Sequence, residues 1–445
     1  MNFFQQNNNK SKLKSFSGKL FNNSDRLLFY FLLAIPLINA VADSTIYYFV
    51  EPDKESGLHP GIIRGVILIL YILLFGIKRI RNERVNYFIL AFLAYLFILL
   101  LFSSNIRYAF LSGYIKWFIP LMMFPVGFYF FKNVNSLLLL NRIYVYAAII
   151  ICSNLVVAQI IKFGLSAYVE KSFYTGGAGV GITNQLSLIL LTYPFLLRKR
   201  ISFTRSLNWL VYINGVLSIV FVLLAMKRAA IISLMAGVLI YLYFTQSRIR
   251  FIKYLAVIIF FFYLIFPLIQ DVFTERYETR MRQMENIEKE ARYQEILYVF
   301  QEFREADISQ KLFGAHLFNT GEYFGRKYFN TNRMIHSDFF GFLYGAGVIG
   351  IFLYLAIYYV IISMGVKFRR ILKHEIIERE LLAIFFAILV ATFLISFTGS
   401  GTIGERCLVF LYLGAISGTA KQKIKSLFLV KKFKVGSISL NLKKF

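Results

Sequence analysis

Residues 334–363 read MIHSDFFGFLYGAGVIGIFLYLAIYYVIIS, with no charged side chain between Phe339 and Ser363. A helix rises about 1.5 Å per residue, so this run is long enough to cross a hydrocarbon core of about 30 Å. Such a run decides the fold class if it recurs along the chain, and it does. Twelve spans are expected near 27–49, 61–77, 85–103, 107–131, 141–162, 182–197, 207–225, 229–245, 251–269, 339–363, 380–397 and 405–420. The composition agrees: of 445 residues 58% are hydrophobic and 16% charged, against about 45–50% and 25% in soluble domains. Mean hydropathy is +0.62. The expected fold is an all-α polytopic membrane protein of about twelve transmembrane helices, with a large external helical loop between spans nine and ten.

The net charge is +27, but its distribution argues against nucleic acid. Lys and Arg cluster in short segments between apolar runs, as orientation signals do. With a cytoplasmic N-terminus, KRIRNER (78–84), RKRISFTR (198–205), SRIRFIK (247–253) and KFRRILKHEIIER (367–379) fall inside, as does the basic tail 421–445. The facing loops EPDKESGLHP (51–60) and TGSGTIG (398–404) are poor in base. The implied divisions are a cytoplasmic segment 1–26, spans one to nine in 27–268, an external cap 269–338, spans ten to twelve in 339–420, and the tail. The first apolar run follows a basic stretch without a cleavage site and is expected as a retained helix. Cys152 and Cys407 lie in apolar surroundings and give no disulfide framework. Neither CxxC nor HExxH spacing occurs, so the sequence offers no metal site. The halves show no internal repeat of the kind that builds many transporters.

Loops longer than about 12–15 residues are usually functional or disordered. In residues 269–338 the first half, ERYETRMRQMENIEKEARYQEILYVFQEFREAD, is helical in composition. Tyr293, Ile296, Leu297, Phe300 and Phe303 recur at helical spacing and are expected as its packing stripe. The second half, LFGAHLFNTGEYFGRKYFNTNRM, reads as irregular.

Three constellations could carry chemistry. Lys227-Arg228 occupy the very short connection between spans seven and eight, on the side that orientation rules keep poor in base. Either both snorkel to headgroups, or they meet an anion in a cavity. Arg292 stands on the cap helix, where a solvated charged face explains it equally well. The third is His336-Ser337-Asp338. An Asp at a helix start satisfies free backbone N–H groups, and that is the simplest role for Asp338. It leaves His336 unexplained, and an imidazole of ordinary pKa near 6.5 can take a proton at working pH. His336 and Asp338, if both helical, point about 200° apart, which argues against direct contact.

The segments KRAAII, ARYQEIL with KLFGAH, and HSDFFGFLYGAGVIG, in that order, together resemble the O-antigen polymerase/O-antigen ligase superfamily, which includes the Wzy-type polysaccharide polymerases. The likeness is clearest over the last half of the chain and in the overall span layout. Two departures stand out: Ser337 replaces an Asn that often follows the His, and a Gly-x-Gly appears as Gly314-Ala315-His316. The resemblance implies polymerisation of undecaprenyl-diphosphate-linked repeat units into an O-antigen, capsule or exopolysaccharide, by inverting glycosyl transfer at the outer face of the cytoplasmic membrane. Arg228 and Arg292 would then grip the diphosphate, joined by Lys227 and Arg333, and His336 would orient or deprotonate the acceptor hydroxyl. Guanidinium forks suit phosphate oxygens and stabilise the departing charge. With such a leaving group, no metal and no cofactor is called for. Asp338 and Arg406 are auxiliary; Glu405 and Arg406 stand where they can pair with each other. His316 is tempting but, as a lone loop histidine, equally read as inert. Implied partners are the lipid-linked glycan, membrane lipids, a flippase and a chain-length regulator. Within the same fold the alternative is a ligase handing finished glycan to lipopolysaccharide or another acceptor. The rival of another class is a lipid-linked glycan flippase or secondary transporter; against it, Asp43 is the only carboxylate well inside an apolar run.

Overall fold

The computed structural model describes residues 23–49, 60–76, 79–80, 83–103, 108–164, 174–178, 181–198, 205–225, 227–256, 259–260, 263 and 291–442. The N-terminal segment up to 22, most of span nine, the first part of the cap (269–290), most of the loops EPDKESGLHP and RKRISFTR and part of KRIRNER lie outside these residues. The regular secondary structure of the described residues is helical, without a β-strand. In chain order the helices are α1 (Asn23–Phe49), α2 (Pro60–Phe75), α3 (Arg84–Leu101), α4 (Tyr108–Phe130), α5 (Val134–Ile161), α6 (Ile182–Leu190), α7 (Tyr193–Arg198), α8 (Arg205–Leu224) and α9 (Arg228–Thr245). Then follow α10 (Ala291–Glu305), α11 (Ile308–Phe313), α12 (Arg326–Phe329), α13 (Asp338–Ile371), α14 (Ile376–Thr398) and α15 (Ile403–Leu442). Among the described residues seven helices are long and apolar enough to cross a membrane: α1, α3, α4, α5, α9, α13 and α14. Three shorter apolar stretches, Pro60–Phe75, Ile182–Leu197 and Trp209–Leu224, coincide with further expected spans. The chain is therefore a helical membrane protein.

The centre of the bundle is α15, buried from Gly404 to Ala420. It opens with Glu405 and Arg406 and is not among the seven. A helix enclosed by protein needs no lipid-compatible outer face, only partners for its charges. Its main neighbour is α4. The two backbones meet because Gly127 of α4 and Gly414 of α15 lack side chains. A Cβ on Gly127 would stand 2.4 Å from the Leu411 carbonyl oxygen, and one on Gly414 2.2 Å from that of Phe124. Small residues allow this approach where apolar driving force between helices is weak.

Span ten is not the uninterrupted helix expected from its apolar run. Gly347 has φ 63 and ψ −166, which breaks α13 into two pieces. A Cβ there would lie 2.4 Å from the Leu312 carbonyl oxygen, so the end of α11 sits in the break. The opened backbone finds new partners: the Ala315 N–H donates to the Tyr344 carbonyl (3.0 Å) and the Tyr95 hydroxyl to that of Ala346 (2.7 Å). An unpaired buried carbonyl would cost about 1–3 kcal/mol, so this re-pairing is what makes the break tolerable. The LFGAH segment thereby pins the cap to the bundle. The cap's second half is not irregular either; it folds as the short helices α11 and α12 joined by a tight 3-10 turn at 317–319 and a wider π turn at 321–325.

Candidate active site

Four helix ends meet beneath the cap. The start of α13 lies beside the end of α14, where the Ser337 hydroxyl donates to the Ser396 carbonyl (3.3 Å). The end of α14 is followed within a few residues by the start of α15. The start of α9 joins them electrostatically, because Lys227 lies within the field of both Glu405 and Arg292.

The cap helix α10 supplies the decisive group. Its expected apolar stripe is not its packing face: Tyr293, Leu297 and Phe300 are exposed, while Glu295 and Val299 are buried. The reason is a set of hydrogen bonds stronger than the apolar gain at the surface. The Glu295 carboxylate accepts from Arg333 Nε (2.5 Å) and from the His336 backbone N–H (3.2 Å), and it lies 2.8 Å from His336 Nδ1. Charge-assisted bonds of this kind contribute about 1.5–3 kcal/mol each. Burial pushes the Glu295 carboxyl up, but the His336 and Arg333 hydrogen bonds outweigh it and hold the group below its ordinary range. An ionised carboxylate accepts only. The Nδ1 facing it therefore carries a proton, and in the neutral tautomer so fixed the lone pair lies on Nε2. The His336 side chain is 40% exposed, so the ring is reachable. His336 itself precedes the helix cap Ser337 rather than standing in the helix, and it faces the cap helix.

Asp338 points the other way. It stands in the first turn of α13, one of the two helix-start positions the sequence allows, but the N-cap is Ser337 and the Asp338 carboxylate is ion-paired with Arg406 Nη2 (2.7 Å). The Arg406 guanidinium also lies 3.8 Å from the Trp117 ring centroid and donates to the Lys116 carbonyl (3.4 Å). The expected Glu405–Arg406 pair does not form. Glu405 instead accepts from Asn184 Nδ2 (3.2 Å). Adjacent residues on a helix diverge by about 100°, so the two side chains serve different neighbours.

Of the cations named from sequence, Arg333 is joined to His336 through Glu295, and Arg292 stands three residues before Glu295 with its guanidinium 3.5 Å from the Thr398 carbonyl. Lys227 is half-buried and turned towards this centre, whereas Arg228 is exposed on the first turn of α9. His316 lies apart, against Tyr323.

Sequence reasoning missed Glu295, which looked like one charge among many on a solvated helix. Its signal was its register: Glu295, Val299 and Glu302 form one line at helical spacing. Also missed was a second buried cluster in which Asp43 of α1 pairs with Arg64 of α2 and accepts from Gln185, which in turn donates to Thr402 (3.2 Å). Asp338 and Glu405 are buried as well, in the first turns of α13 and α15. Among the described residues no three His, Cys, Asp or Glu side chains are arranged to hold a metal ion. No protein-family model matches the chain, and no curated protein matches it in sequence.

Proposed function

We propose that this chain is a membrane glycosyltransferase of the O-antigen polymerase/ligase type. It extends a surface polysaccharide by moving undecaprenyl-diphosphate-linked repeat units, working within twelve spans at the outer face of the bacterial cytoplasmic membrane, with both termini inside. The observation that carries this reading is the buried Glu295 carboxylate on His336 Nδ1, beside Arg333. It fixes the tautomer and turns Nε2 into a general base for a hydroxyl. General bases contribute about 10²–10⁴-fold.

In the proposed step an acceptor hydroxyl attacks the anomeric carbon of the lipid-linked sugar. The new carbon–oxygen bond forms as the bond to the diphosphate breaks, and the bonding pair leaves with the phosphate. The hydroxyl proton passes to His336 Nε2, and Glu295 stabilises the imidazolium that results. Arg292, Lys227 and Arg333 border the site where the diphosphate charge grows, as transition-state electrostatics requires. Arg228, being exposed, meets the lipid headgroup side of the donor.

The test is His336→Ala in cells, with surface glycan resolved as a ladder. The expected result is loss of chain extension with normal amounts of protein in the membrane; an unchanged ladder would sink the mechanism. Single repeat units left on the acceptor identify a polymerase, and loss of all acceptor-linked glycan a ligase. A second reading, a flippase or ion-coupled transporter, draws on the paired charges Asp43–Arg64 and Asp338–Arg406 buried between helices. It requires lipid-linked glycan to accumulate on the inner face in an Asp43→Asn variant, whereas the transferase reading places that glycan on the outer face.

A further inference from the structure

The cap holds a cavity that the Glu295 site does not use. Its volume is about 230 Å³, and its lining includes Glu302, Gln310, His316, Tyr323, Lys327 and Tyr344. At its edge the His316 and Tyr323 rings lie parallel, with centroids 3.6 Å apart and planes 9° apart, and both residues are exposed. His316 has a left-handed backbone, φ 58, which non-glycine residues adopt infrequently. Partial covering of its ring, although the residue as a whole is exposed, holds the imidazole below the ordinary range, so the ring presents an uncharged face.

The polar groups around this face neutralise each other. Glu302 accepts from Lys327 and from the Tyr328 hydroxyl, both at Oε1. Its burial raises the carboxyl, and these two bonds outweigh that and keep it ionised, while the same contact holds Lys327 above its ordinary range. A phosphate would meet the Glu302 charge. A neutral ring with one apolar face and a rim of hydroxyls meets what it needs: a flat aromatic surface, a carboxylate oxygen as acceptor, and ammonium and amide donors. That description is a sugar ring.

Glu302 lies seven residues beyond Glu295 on α10. In a helix that is nearly the same face, about 10 Å further along the axis. The cavity and the Glu295 site are thus carried by one helix, with the buried Val299 between them. We propose that the cavity is a sugar-binding subsite, which holds a ring of the growing glycan away from the bond being made. The assignment rests on the transferase reading for the identity of that glycan.

The experiment uses the full chain in lipid nanodiscs and short oligosaccharides released by mild acid from the cell's own surface polysaccharide, with binding followed by saturation-transfer NMR. Tyr323→Ala is expected to weaken binding at least tenfold and to shorten the ladder in cells without stopping transfer. Because Tyr323 is exposed, the change opens no core void, and an unaltered size-exclusion profile checks this. Tyr323→Trp keeps a platform and is expected to retain binding and ladder length. Glu302→Gln is expected to weaken binding by removing the charged acceptor. Unchanged affinity in Tyr323→Ala, or no binding by the parent chain, overturns the subsite, and so does displacement of the oligosaccharide by inorganic phosphate. If the subsite fails while His336→Ala still halts extension, the transferase reading stands. If His336→Ala extends normally while Tyr323→Ala loses the sugar, the subsite stands and the catalytic reading falls.

Discussion

Two carboxylates approach the segment between Arg333 and Asp338, and they do opposite things. Glu295 comes from the cap and takes partners whose side chains stay reachable, Arg333 at 30% and His336 at 40% exposure. Asp338, on the segment itself, turns into the bundle and takes Arg406, whose side chain is 8% exposed and covered by Trp117. Both are buried acids with short contacts to basic groups. The difference is what the basic group can still meet. A sealed pair holds helices together. A buried acid behind an accessible imidazole orients the ring and leaves its other nitrogen free to meet something that arrives from outside.

The comparison breaks first at the sealed pair. Arg406→Ala leaves Asp338 buried without its partner, which costs about 3–5 kcal/mol. The expected outcome is loss of folded protein from the membrane, measured by detergent-extracted yield and thermal unfolding, with much of the loss recovered in Arg406→Met combined with Asp338→Asn. A stable but inactive Arg406→Ala would move Arg406 to the catalytic side of the comparison.

Glu295→Gln removes a charge but not a shape. With charged hydrogen bonds at about 1.5–3 kcal/mol each, chain extension is expected to fall roughly ten- to a hundredfold in an assay with membrane-bound donor, at unchanged protein level. Equal activity of the two forms would reduce Glu295 to a packing residue.

The pH dependence of the cap sharpens the contrast further. Because Glu295 is held below its ordinary value of 4.5, its contribution to cap docking is fully present above that pH. It is lost as pH falls through the lowered value. Hydrogen exchange on the α10 amides is expected to accelerate in that acidic window in the parent chain and to change far less in Glu295→Gln. The smallest effect separates two neighbours: Lys227→Ala is expected to impair extension several-fold more than Arg228→Ala, since the first lies in the field of Glu405 and Arg292 and the second is exposed. Equal losses would place both cations on the donor.

Much of this protein was legible in its residues. Uncharged runs of span length predict membrane helices because a bilayer tolerates little else, and among the described residues seven helices meet that requirement. His336 stood out because a titratable group at the mouth of such a run had no structural explanation. Its acid did not stand out. Glu295 lies on a helix crowded with charge, and composition gives no rank among them. The exposed stripe Tyr293, Leu297 and Phe300 shows why periodicity misled: apolar spacing names a face, but hydrogen bonds to a buried carboxylate chose another.

The sequence by itself determined that the chain is helical and lies in a membrane, because hydropathy is a sum over neighbours along the chain. It also marked the segment around His336. Only the tertiary structure decided which acid serves which base. Glu295 and His336 are 41 residues apart, and Asp338 and Arg406 are 68 apart. The break at Gly347 was decided there too, since a glycine in an apolar run is silent until another backbone, here that of Leu312, comes to occupy the space it leaves.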